Sequence, residues 1–302
     1  MSTPYHVAVI GLGAMGMGAA RSCLRAGLTT YGIDLNAEAR NQLQQAGAAA
    51  VMADARPLAE TLDAVLLLVV NAAQVRRILL GDEGLARHLK PGTAIMVSST
   101  IAAEEASALA AELAQMGLPM LDAPVSGGAI KADAGEMTVM AAGSDAAFDK
   151  LAPVLDAVAG KVYRVGSEPG QGSTVKIIHQ LLAGVHIAVA AEAMALASRA
   201  GVSLDLMYDV VTHAAGNSWM FENRMPRVLA GDYQARSAVD IFVKDLTLVA
   251  DTAKALRFPL PLASTALNMF LGASNAGYGQ EDDSAVIKIF SGIQLPGQEE
   301  QA

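Results

Sequence analysis

The chain has 302 residues, 53% hydrophobic and 17% charged, which is enough apolar material for sizeable cores and too little charge for a disordered chain. Lys and Arg number 21 and Asp and Glu 30, a net charge of −9 that argues against a nucleic-acid binder, which would present a basic face. Cys23 is the single cysteine, so no internal disulfide forms and a reducing compartment fits.

The length predicts two domains or one large one. The first residues carry no basic stretch and run straight into a strand-like segment, so no signal peptide is expected and a cytoplasmic location is. The longest compact apolar run, 64–70, is far short of the ~20 residues that span a bilayer, so no membrane association is expected.

The first half alternates between strand and helix. Strands are predicted over 7–10, 29–33, 64–70, 94–97, 120–121, 136–142 and 161–165, and helices over 14–26, 37–46 and 102–116. The run at 64–70 is apolar without alternation, as in a buried parallel strand with both faces covered. This pattern predicts an α/β Rossmann-type domain with an open parallel sheet. From Gly172 onward almost nothing reads as a strand. A helix over 173–200 would be about 40 Å long. It is apolar on most sides, so it is expected to be buried in its own domain or against a partner subunit. Further helices are predicted over 203–214, 219–230, 239–255 and 260–275. Breakers at 166–170 put the boundary there, with domains at 1–166 and 167–302. A polar tail follows at 298–301.

Gly11-Leu12-Gly13-Ala14-Met15-Gly16 directly follows the first strand and opens a helix. In that setting the glycines permit a tight turn, close approach of a pyrophosphate to the backbone, and close helix–strand packing. Asp34 ends the second strand, where a carboxylate accepts hydrogen bonds from the ribose hydroxyls of NAD and repels a 2′-phosphate. Arg40, one helical turn on, leaves some room for NADP. FAD uses a similar fingerprint, so the motif alone does not name the cofactor. Val70, Asn71 and Thr100 lie at or just past strand ends, where ligands of open sheets bind, and are candidate cofactor contacts. Asn71 is an equally good helix N-cap.

Three more motifs follow in order: Asp122-Ala123-Pro124-Val125-Ser126-Gly127-Gly128, then Gly170-Gln171-Gly172 ahead of Lys176, then Lys244-Asp245-Leu246. With these the chain resembles the β-hydroxyacid dehydrogenase (3-hydroxyisobutyrate dehydrogenase-like) family nearly end to end. The resemblance implies a Rossmann domain, a long interdomain helix and an all-α C-terminal domain. It implies that Ser126, Gly127 and Gly128 bind the substrate carboxylate, and backbone N–H groups left bare by two glycines suit an anion. It assigns Lys176 as the catalytic general base, and burial of a lysine lowers its pKa toward the working range. It places Lys244 near the nicotinamide.

Many members carry Asn-Asn three and four residues after the catalytic lysine. Here His179 and Gln180 stand there, still on the Lys176 face of the helix, and are candidate substrate-binding residues. The run 176–186 is similar to the L-threonate branch of the family, which implies NAD-dependent oxidation of that four-carbon acid at C2 to 2-oxotetronate. Asn217 and Ser218 are further candidate partners of its hydroxyls. Oxidation of 3-hydroxyisobutyrate, reduction of tartronate semialdehyde, and a non-catalytic dinucleotide sensor remain as alternatives. The family and the apolar helix imply a homodimer or homotetramer. His179 and His186 are seven apart, not the i, i+4 spacing of a helical zinc site, so no metal is expected.

Overall fold

The structure is a computed structural model that describes residues 4–296; the polar tail lies outside the described residues. The chain divides into two compact units, Met1–Lys176 and Ile177–Ala302.

The first unit is built on a nine-stranded sheet. Its strands are β1 (His6–Ile10), β2 (Thr29–Ile33), β3 (Ala50–Met52), β4 (Ala64–Leu67), β5 (Ala94–Val97), β6 (Met120–Asp122), β7 (Val125–Ser126), β8 (Met137–Ala142) and β9 (Ala159–Gly166). The order is β3-β2-β1-β4-β5-β6-β8-β7, with β9 pairing β8. The chain reverses its direction of travel across the sheet between β3 and β4, so β1 and β4 lie side by side with Ile10 opposite Leu67. Such a switch point opens a crevice beyond the carboxyl ends of its strands. Alternation along β1 sends Val7 and Val9 into one core layer and Ala8 and Ile10 into the other, so both faces are covered.

The sheet is parallel, as expected, except at β8, which runs antiparallel to β6 and β7. The stretch from Ser126 to Met137 is too short for the crossover of a dozen or more residues that a parallel neighbour requires. The strand predicted to reach Val70 stops at Leu67. Three helices of this unit, α3 (Ala72–Leu80), α5 (Gly128–Ala134) and α6 (Asp145–Val158), were not among the predicted elements, nor were β3 and β7. The others are α1 (Ala14–Arg25), α2 (Ala37–Gln45) and α4 (Ala103–Gln115), close to their predicted bounds.

Helix α7 (Gln171–Arg199) starts in the first unit and continues into the second. Among the described residues it is the one helix long and apolar enough to cross a membrane, and half of that window is buried, as in a core helix. The second unit adds α8 (Leu204–Thr212), α9 (Trp219–Ala230), α10 (Val239–Ala255), α11 (Pro261–Ala273) and a 3-10 segment, Asp283–Ile289. Its core gathers Ile187, Met194, Phe221, Met225 and Val286 around Phe242 and Phe270, whose rings stack 5.2 Å apart.

Candidate active site

In the first unit, Gly11, Leu12 and Gly13 carry the chain from β1 into α1. Gly16 is obligatory: a Cβ there would lie 1.7 Å from the carbonyl oxygen of Gly11. A Cβ on Gly13, by contrast, would meet nothing within 4 Å, so the turn faces open space. Helix α1 opens with Ala14 and Met15, has no side-chain cap and carries no acidic residue in its first turn. Its first N–H groups and positive dipole end therefore suit a phosphate.

Asp34 is held from two sides. Its Oδ2 accepts from Leu12 N at 2.6 Å and its Oδ1 from Asn36 N at 2.7 Å, so the carboxylate is aimed before any ligand arrives. Arg40 Nη1 donates to the carbonyl oxygens of Asp34 (2.7 Å) and Leu35 (2.9 Å), which engages the cation expected to leave room for a 2′-phosphate. A cavity of about 690 Å³ opens beside the turn, lined by Gly11, Gly13, Asp34, Arg56 and Val70 among others. That is the size range of a ligand pocket. Arg56 closes part of its wall, paired with Asp54 at 2.7 Å and with Glu83. These features fit a dinucleotide.

Val70 is half-exposed, and its N–H donates to Gln74. Asn71 caps α3, its Oδ1 accepting from Gln74 N at 2.9 Å. Thr100 follows Ser98 and Ser99, whose buried hydroxyls have no hydrogen-bond partner. Ser126 ends β7, and Gly127 and Gly128 follow with φ of 132° and 71°, backbone that a side chain would strain.

Asp122 heads the same motif, and no role was read for it in the sequence. It is fully buried. Its Oδ2 accepts from Gly170 N (2.7 Å) and Ser173 N (2.8 Å), and its Oδ1 from the Ser173 hydroxyl (2.7 Å). Burial pushes its carboxyl above the usual range against the pull of the Ser173 and Gly170 donors. Asp122 thus ties the first turn of α7 to the end of β6. Lys176 follows one turn later and is buried, at 5% exposure.

In the second unit, a polar chain runs inward from the half-buried Lys244 and His179 to the buried Asp245 and Gln180. Lys244 Nζ lies 2.6 Å from Asp245 Oδ1. Asp245 Oδ2 accepts from Gln180 Nε2 at 2.5 Å, and Gln180 Oε1 lies 3.0 Å from His179 Nδ1. Asp245 and Gln180 are buried. Asn217 Nδ2 donates to Glu222 at 2.7 Å while its buried Oδ1 has no hydrogen-bond partner, and the Ser218 hydroxyl caps α9.

Two family signatures match successive stretches of the chain. The signature described as the NAD binding domain of 6-phosphogluconate dehydrogenase matches residues 6–166. That described as the NAD-binding of NADP-dependent 3-hydroxyisobutyrate dehydrogenase matches residues 170–290. An L-threonate dehydrogenase of Escherichia coli O6:H1 is 73% identical over 97% of both chains. The chain belongs to the 3-hydroxyisobutyrate dehydrogenase-like family. An L-threonate dehydrogenase of Cupriavidus necator is 56% identical over 98% of this chain and 99% of that one. A crystal structure from Salmonella typhimurium, described as 3-hydroxyisobutyrate dehydrogenase, superposes with a TM-score of 0.92 at 71% identity, covering 95% of this chain and 100% of that one.

Within the family, this chain falls in the L-threonate dehydrogenase branch and its N-terminal unit is an NAD-binding domain. Asp122 was missed because its donors sit about 50 residues away. The one sequence signal for it was a carboxylate at the head of a motif otherwise free of charge.

Proposed function

We propose that this chain oxidises L-threonate at C2 to 2-oxotetronate with NAD, in the cytoplasm. The observation that carries the reading is that full-length relatives from 73% down to 56% identity all bear the name L-threonate dehydrogenase. NAD, when bound, supplies the hydride acceptor. The N–H groups at the start of α1, with Gly11, Leu12, Gly13, Ala14, Met15 and Gly16, hold its pyrophosphate. Asp34 takes the ribose hydroxyls, and Val70, Asn71, Thr100 and Lys244 complete the cofactor contacts. Ser126, Gly127 and Gly128 hold the substrate carboxylate, and His179 and Gln180 meet its hydroxyls. Lys176 removes the proton of the reacting hydroxyl.

The functional domains are 1–166 and 167–302. The working form is a homodimer or homotetramer. In its support, Ile178, Leu182, Val189 and Leu196 are all more than half exposed along one stripe of α7.

A panel of hydroxy acids with NAD, followed by NADH absorbance, tests the reading. L-threonate is expected to give the highest kcat/KM. A higher value for 3-hydroxyisobutyrate, which the Salmonella relative's description favours, or for tartronate semialdehyde in the reverse direction, would replace it. Binding of NAD without turnover of any of them would point to a sensor. Asp34→Ala is expected to narrow the preference for NAD over NADP, read as the ratio of the two KM values. An unchanged ratio would remove Asp34 from the ribose site.

A further inference from the structure

The polar chain of the second unit fixes the direction of each hydrogen bond in it. A carboxylate only accepts, so Asp245 Oδ2, at 2.5 Å, must face the NH2 end of the Gln180 amide. That turns Gln180 Oε1 toward His179, 3.0 Å from Nδ1. A carbonyl oxygen also only accepts, so Nδ1 must carry a hydrogen. A neutral imidazole has one N–H, which makes Nε2 the acceptor of the ring. Lys244, 2.6 Å from the other oxygen of Asp245, anchors the far end. Asp245 is 2% exposed and Gln180 7%, so water does not compete to reverse the order.

We infer that Asp245, acting through Gln180, locks His179 in the Nδ1–H tautomer, so that Nε2 accepts a hydrogen bond from a substrate hydroxyl other than the one oxidised. This rests on the proposed reading of the substrate as a polyhydroxylated acid. His179 is then the specificity-determining residue, Asp245 is a positioning residue, and Gln180 positions His179 in addition to its proposed contact with a substrate hydroxyl. A branched acid with a methyl group at that place leaves the acceptor unmatched. A site built for a hydroxyl rejects an analogue without it far more strongly than an apolar pocket rejects an extra methylene.

The test joins a tautomer measurement to a specificity measurement. Protein labelled with 15N at histidine is read by long-range 1H–15N NMR at neutral pH, with the His179 signals assigned by their loss in His179→Asn. The expected pattern is a protonated Nδ1 and a bare Nε2. Gln180→Leu is expected to abolish that pattern and to lower the kcat/KM ratio of L-threonate to 3-hydroxyisobutyrate by about tenfold, mostly through KM for L-threonate. A wild-type ring protonated at Nε2 overturns the inference without any variant having to fold. So does a Gln180→Leu protein that keeps the Nδ1–H pattern or the wild-type ratio. A correct tautomer in a protein that fails to oxidise L-threonate supports the locked ring and sinks the substrate reading, so the two failures are distinguishable.

Discussion

Lys176→Ala is expected to lower kcat about 10²–10⁴-fold, the usual contribution of a positioned general base, which corresponds to about 3–5 kcal/mol of barrier. The affinity for NAD, measured by titration calorimetry, should stay within a few-fold of wild type. The reason for the separation lies in the first unit. The turn from β1 to α1 and the doubly held Asp34 are complete without Lys176. Lys176 itself sits on the second turn of α7, behind the Asp122 anchor, and is almost wholly buried. Lys176→Arg discriminates between two roles for the amine. Arginine keeps the positive charge but does not give up its proton in proteins. If the amine works as a base, arginine should be nearly as inactive as alanine. If it works as a fixed cation, arginine should recover much of the rate and the assignment falls. Equal loss of NAD affinity and turnover in Lys176→Ala would contradict it as well.

What was legible in the sequence was local. The glycine turn, the following helix and Asp34 fall within one β-α-β stretch, where spacing and residue type act over short range. Long helices such as α7 and α10 declared themselves by composition and period. Strand direction did not, because a period of two is the same in either direction. The reversal of β8 depends on the length of the chain between Ser126 and Met137. Leu68 to Val70 continue the apolar run of β4 although the strand ends at Leu67. Helix α6 is interrupted in pattern by Pro153, a residue that reads as a breaker yet lies inside the helix. The Gln180–Asp245 bond joins residues 65 apart, and no periodicity announces such a pair. The neighbour of Lys244 was visible as a carboxylate, but not that it would reach Gln180 as well as the lysine.

A second long-range pair has the largest expected effect on stability. Arg224 is 7% exposed and meets the fully buried Asp283 side by side, Nε to Oδ1 at 2.7 Å and Nη2 to Oδ2 at 2.9 Å. Next to it, Arg227 pairs with the equally buried Asp282 at 2.5 Å. Burial pushes the Asp283 carboxyl up, and Arg224 pulls it back. Asp283→Ala would leave the Arg224 guanidinium buried without its partner, a cost of about 3–5 kcal/mol. Set against a total stability of about 5–15 kcal/mol, that is a large fraction. At roughly 4 °C per kcal/mol for a unit between 100 and 150 residues, calorimetry should show the Tm falling by about 12–20 °C.

Replacing both partners, Arg224→Met with Asp283→Leu, should return most of the loss, since an apolar pair has no ion to desolvate. A double variant as unstable as Asp283→Ala would mean that the carboxylate works through something other than the pair. The site feels this segment too. Asp283 N donates to Ser237 O, and Val239 N and Asp240 N donate to Glu281 O and Gly279 O, so the chain around Asp283 closes the start of α10. Lys244 and Asp245 lie on the next turns of that helix. Asp283→Ala is therefore expected to raise KM for L-threonate well below its melting temperature, and the double variant to restore it.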